Sequence, residues 1–121
     1  MAKLFLLMAL MEVFADACLQ YKLSHYKRKE NCTSFKGWKK NIWVPALFLH
    51  ALIVSMFMLT PALLLTNVKT PVLVVLLIGN TIIHALIDNE KANHHALTNI
   101  EDRFLHEVQV ILSWIILIEN I

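Results

Sequence analysis

Pro71-Val72-Leu73-Val74-Val75-Leu76-Leu77-Ile78-Gly79-Asn80-Thr81-Ile82-Ile83-His84-Ala85-Leu86-Ile87-Asp88-Asn89-Glu90-Lys91 is an unbroken apolar run that ends in ionisable residues. Its first seventeen residues, 71–87, carry no Asp, Glu, Lys or Arg, long enough to span a hydrocarbon layer, which needs roughly 17–25 apolar residues. Pro71 suits the first turn of a helix, where its missing N–H removes no bond. On such a helix His84 and Asp88 lie four residues apart and share a face, so they can converge on one proton or metal ion.

Three further apolar stretches flank this one, at 4–19, 42–65 and 104–118. Stretch 42–65 is long enough to span; the outer two are shorter and carry acids in or beside them. Apolar residues make up 58% of the 121-residue chain and only two are glycine, which favours an all-α integral membrane protein. The expected architecture is a single membrane domain, a four-helix bundle with helices at about 3–22, 42–65, 71–89 and 99–119 and a basic loop between the first two.

Charge sets the expected orientation. Lys22, Lys27, Arg28, Lys29, Lys36, Lys39 and Lys40 all fall between the first two stretches, whereas Lys3 and Lys69 alone lie on the opposite side. The positive-inside rule puts the basic loop in the cytoplasm and both termini on the other face, in a bacterial inner membrane. The basic segment 22–40 should attract anionic lipid, and a net charge of +2 is too small and too localised for nucleic acid. Trp38 and Trp43 bracket the interface.

Several other motifs are set aside. Lys3, the run 4–10 and Ala15-Asp16-Ala17 resemble a secretory leader, but Glu12 interrupts the apolar core. Asn31-Cys32-Thr33 matches a glycosylation acceptor in a loop expected to be cytoplasmic, and Cys18 and Cys32 form neither a metal motif nor a disulfide framework.

Within the first helix Glu12, Asp16 and Gln20 recur every four residues as one polar stripe. His50 is the lone ionisable residue of 42–65 and, taken alone, reads as a core histidine bonded to a carbonyl. Asp102, His106 and Gln109 stack in the last helix, the Asp-x-x-x-His pair mirroring His84-x-x-x-Asp88. Pro61 should kink or end the second helix, Gly79 should admit a close neighbour, and Thr98 or Asn99 should cap the last helix. His94 and His95, adjacent in the linker, point to different sides of a helix and read as solvated.

Alternating topology brings these residues to one depth. At 1.5 Å per residue they fall within roughly 15 Å of the cytoplasmic edge, which predicts one shared pocket. Glu12, Asp16, His50, His84, Asp88 and His106 are the candidate metal ligands, with Gln20, Lys91, Asp102 and Gln109 in support. Imidazole with carboxylate suits a divalent Zn, Fe or Mn ion. Lys91 either balances carboxylate or holds an anionic group such as phosphate, or simply snorkels at the helix end.

The quoted residues also resemble a known family. Phe14-Ala15-Asp16-Ala17-Cys18-Leu19-Gln20, His50, Ile83-His84-Ala85-Leu86-Ile87-Asp88 with Lys91, and Asp102-Arg103-Phe104-Leu105-His106 follow in order the pattern of the domain-of-unknown-function family numbered 3307. These are small bacterial and phage membrane proteins. Glu12 stands where that pattern has histidine, and Arg103 where it has glutamine. The resemblance implies a shared site and leaves the reaction open.

Two functional classes follow. One is a metal-dependent hydrolase acting on a lipid or lipid-linked phosphate or acyl substrate at the cytoplasmic face. The other is a non-enzymatic phage or bacterial membrane protein, conducting ions or protons or acting on the host envelope, with the cluster as a relay. A purely structural polar core is the third reading, and membrane hydrogen bonds averaging about 0.6 kcal/mol make it a weak reason to gather so many charges.

Overall fold

A computed structural model describes residues 1–18 and 21–121. Among them the chain is all-helical, with no strand. Helix α1 spans Ala2–Cys18, the short α2 Tyr21–Tyr26, α3 Trp43–Leu65, α4 Thr70–Ala92 and α5 Asn99–Glu119. Two 3-10 turns, Lys29–Cys32 and Gly37–Asn41, fill the basic segment between α2 and α3. The first helix was expected to run to 22; it is described only to Cys18, and Gln20 lies outside the described residues.

Helix α1 packs on α3 and α5, and α4 packs on the same two, so the four long helices enclose a common interior. Each turns one stripe inward. On α4 the buried residues Leu76, Asn80, His84, Asp88 and Ala92 follow each other every four positions. On α5 the stripe runs Asp102, His106, Gln109, Ser113, Leu117, and on α1 it runs Leu4, Met8, Glu12. Read from one end of the molecule to the other, every stripe passes from apolar to ionisable.

At the apolar end Leu4, Met8, Met58, Leu59, Ala62, Leu76, Val110 and Leu117 form one cluster, closed by Phe5 and Trp114 in an edge-to-face contact. Next comes a polar layer. Asn80 Oδ1 accepts from Gln109 Nε2 at 2.9 Å and from Ser113 Oγ at 3.0 Å, fixing the register of α4 against α5. Beyond it lie the histidines and acids.

The outer faces are apolar: Leu10, Phe14, Phe48, Met56, Val75, Ile82, Leu86, Phe104 and Leu112 are all exposed. Helices α3 and α4 are long and apolar enough to cross a membrane.

Three local expectations meet different outcomes. Pro61 does not end α3, which continues to Leu65. Gly79 faces a groove: a Cβ there would meet nothing within 4 Å, so it marks no close helix approach. Thr98 caps α5 with a full capping box, its Oγ1 accepting from Glu101 N at 3.2 Å while Glu101 Oε2 accepts from Thr98 N at 2.8 Å. Thr98→Ala should therefore lower stability by about 1 kcal/mol, measured as a shifted unfolding midpoint in detergent micelles.

Candidate metal centre

The six candidate ligands come together at one end of the interior. Glu12, His50, His84, Asp88 and His106 are each no more than 3% exposed, and the Asp16 side chain is 19% exposed. The supporting residues divide. Asp102 joins the cluster, Lys91 Nζ donates to Asp102 Oδ2 at 2.7 Å, and Gln109 belongs instead to the polar layer with Asn80. His94, 58% exposed, pairs with Glu90 and stays outside.

Asp88 is the hub. Its Oδ2 lies 3.1 Å from His50 Nε2 and 3.5 Å from His84 Nε2, and its Oδ1 lies 3.3 Å from His106 Nε2. Asp16 Oδ1 completes one side, 3.0 Å from His50 Nε2 and 3.7 Å from His84 Nε2. These four residues, one from α1, one from α3 and two from α4, offer ligand atoms all within 4.8 Å of one another. His50 is thus a member of the cluster, against its isolated reading as a core histidine.

The spacing suits a cation. Ligands about 2.0–2.2 Å from a tetrahedral ion stand about 3.3–3.6 Å apart. The observed separations of 3.0, 3.1, 3.5 and 3.7 Å straddle that edge length.

Hydrogen bonding alone leaves these atoms poorly served. His84 Nε2, both His106 nitrogens, Glu12 Oε1 and Asp102 Oδ1 are buried without a hydrogen-bond partner. His50 Nε2 is over-subscribed: it lies 3.1 Å from Lys27 Nζ, to which it can only be an acceptor, and 3.0 Å from Asp16 Oδ1, to which it can only donate. Imidazole nitrogens and carboxylate oxygens gathered at this spacing are what a metal-binding donor set presents. The residues present therefore fit a divalent ion held by mixed nitrogen and oxygen ligands.

Three side-chain cations close the rim. Lys27 Nζ donates to Asp88 Oδ2 at 2.7 Å, and Arg103 pairs with Glu12 through Nη2 while its Nη1 lies 3.8 Å from Asp16 Oδ2. Lys91, on Asp102, is the third. Sequence spacing singled out Lys91 but left Lys27 in the lipid-facing basic run, since a residue following a short helix has no periodic relation to Asp88. An excess of interior carboxylate over interior cation was the one available signal.

Lys27 is held in place from the backbone. Asn93 Nδ2 donates to Lys27 O at 3.1 Å, and Asn93 Oδ1 accepts from Lys29 N at 2.7 Å. The cysteines take no part: Cys18 is exposed, and burial pushes the Cys32 thiol above its ordinary range.

No family model, curated protein or solved structure matches the chain. The chemistry of the site accordingly rests on its own geometry.

Arg103 and Glu12 form a pair whose acid is buried. Replacing Arg103 by Gln should destabilise the protein by on the order of 2 kcal/mol, below the ~3–5 of a fully buried pair because the arginine is partly solvated. Adding Glu12→Gln should restore most of that loss, read from thermal unfolding of both variants in one detergent.

Proposed function

We propose that this protein is a membrane-embedded four-helix bundle that binds a divalent metal ion at its cytoplasmic end and uses it for hydrolysis of a lipid-linked phosphate or acyl substrate. The observation that carries the reading is the convergence of Asp16, His50, His84 and Asp88, from three helices, at ligand-to-ligand spacing. Similarity to the domain-of-unknown-function family numbered 3307 belongs to the same proposal.

The membrane setting is supported by the inverted distribution of polarity. Large aliphatic and aromatic side chains cover the outside of all four long helices while His, Asp, Glu, Gln, Asn and Ser are buried in one half of the inside. In water this arrangement would expose a contiguous apolar surface; in lipid it satisfies every face. The cytoplasmic position of the site follows from the basic segment beside it.

When bound, such an ion would act as a Lewis acid toward a phosphoryl or carbonyl oxygen and bring the pKa of a coordinated water toward about 7. The protein's own groups supply the rest. His84 and His50 would supply nitrogen ligands, and Asp16 and Asp88 carboxylate ligands. Lys27, Lys91 and Arg103 offer rim cations to an anionic headgroup. A groove of about 380 Å³ between α4 and α5, lined by Ile83, Ile87, Leu105 and Leu112, runs along the membrane side and suits an acyl chain.

The apolar cluster around Met8, Met58 and Leu117 closes the other half of the interior and disfavours conduction. A proton or ion path needs polar groups in both halves.

Elemental analysis of detergent-purified protein should find a stoichiometric transition metal, lost in His84→Ala/Asp88→Ala with helicity retained. Wild-type protein that binds none on loading with Zn²⁺ or Mn²⁺ overturns the reading. Micellar phosphoesters and acyl esters, each with a chromogenic leaving group, test the reaction, which should disappear in the same double variant.

Lys27 competes with any cation for Asp88 Oδ2. Lys27→Gln should therefore tighten metal binding about ten-fold or more, roughly 1.4 kcal/mol, in a competition titration with a chelating dye. For the orientation, Trp38→Cys in a background of Cys18→Ser and Cys32→Ser should react with an impermeant maleimide in inverted vesicles and not in intact cells.

A further inference from the structure

The proposed ion at Asp16, His50, His84 and Asp88 uses only one oxygen of Asp88. Its other oxygen, Oδ1, faces away from that set and toward α5, where it lies 3.3 Å from His106 Nε2. His106 Nε2 in turn lies 3.4 Å from Asp102 Oδ1. Asp88, Asp102 and His106 thus form a second group of ligand atoms, all buried and all within 4.8 Å of one another.

Two properties separate this group from an ordinary hydrogen-bonded triad. His106, 1% exposed, makes no hydrogen bond from either ring nitrogen, and Asp102 Oδ1 makes none either, despite separations short enough for one. Their atoms nevertheless stand at ligand spacing. Glu12 stands next to them: it offers a carboxylate oxygen within 4.8 Å of ligand nitrogens of His84 and His106, and its buried Oε1 is unpartnered.

We propose that the site is dinuclear, with a second divalent ion held by His106, Asp102 and Asp88 Oδ1, and with the Asp88 carboxylate bridging the two ions. This rests on the single-ion reading above and extends it. The rings of His84 and His106, with centroids 4.2 Å apart, then belong to adjacent ions as neighbouring ligands. Glu12, within 4.8 Å of ligand nitrogens of both histidines, could serve either ion.

The charge balance also narrows the substrate. Five carboxylates, Glu12, Asp16, Asp88, Asp102 and the half-exposed Glu107 that also faces Arg103, already meet three side-chain cations, Lys27, Lys91 and Arg103. Two divalent ions would leave the centre net positive, which favours an anionic phosphoester over a neutral acyl ester. Paired ions suit that chemistry because they stabilise both the attacking and the leaving oxygen.

A titration of the full chain in detergent micelles with Mn²⁺, read from loss of the free-ion EPR signal, tests this. Two ions per chain, with an exchange-coupled EPR spectrum at saturation, are expected. Asp102→Asn should bind one ion and lose the coupling. One ion per wild-type chain overturns the second site and leaves the first standing, whereas none overturns the single-ion reading with it. Two ions without exchange coupling overturn the bridge. Should Asp102→Asn fail to fold, Lys91→Gln keeps Asp102 and removes its competing ammonium. It should tighten the second binding step several-fold and leave the first unchanged; an unchanged second step overturns the assignment.

Discussion

An ionised carboxylate in an apolar interior needs positive charge within a few ångströms, and this requirement governs the whole molecule. Four acids share one end of the helix assembly, and each is met by a cation or an imidazole. Removing a carboxylate from water costs several kcal/mol, so an acid left alone there would drag the helices apart or take up a proton. Asp88 shows the constraint most directly, since its two oxygens face three imidazoles and one ammonium from α3, α4, α5 and the segment after α2. The helices must come together in this arrangement for those charges to meet.

The rest of the interior is graded around that need. Moving away from the acids, the buried stripes of α4 and α5 become amide or hydroxyl and then aliphatic, while that of α1 turns aliphatic directly. The middle layer has a specific task. Apolar side chains by themselves give little preference for one helix register over another, because their contacts are non-directional. Asn80 accepting from both Gln109 and Ser113 does prefer one register, and a slip by one residue would break both bonds. The alignment of His84 with His106 one turn further on depends on it.

Much of this was legible in the sequence, for identifiable reasons. Helices α3 and α4 could be read because their apolar runs are long and carry proline near an end, and α5 because a capping threonine marks its start. The i+4 pairs His84/Asp88 and Asp102/His106 could be read because helical periodicity is local. Their meeting across helices could be read because an antiparallel path fixes depth to within a few residues. Lys27 could not, because its position depends on two 3-10 turns and a short helix whose path no periodicity encodes. Gly79 misled because a small residue allows a close approach without requiring one, and here α4 and α5 diverge into a groove. Gln109 has the right spacing for the cluster but lies one layer too deep, and its amide finds a better match in Asn80.

The Asn93 side chain, which grips the backbone at Lys27 and Lys29, gives the molecule a mechanical link between its surface and its interior. The lysines and arginine that follow Lys27 are joined through this one amide to the end of the helix bearing Asp88. A displacement of the basic segment would therefore be felt at the single ammonium that pairs with Asp88. Such a displacement would alter the pairing of Asp88 without any histidine of the cluster being touched.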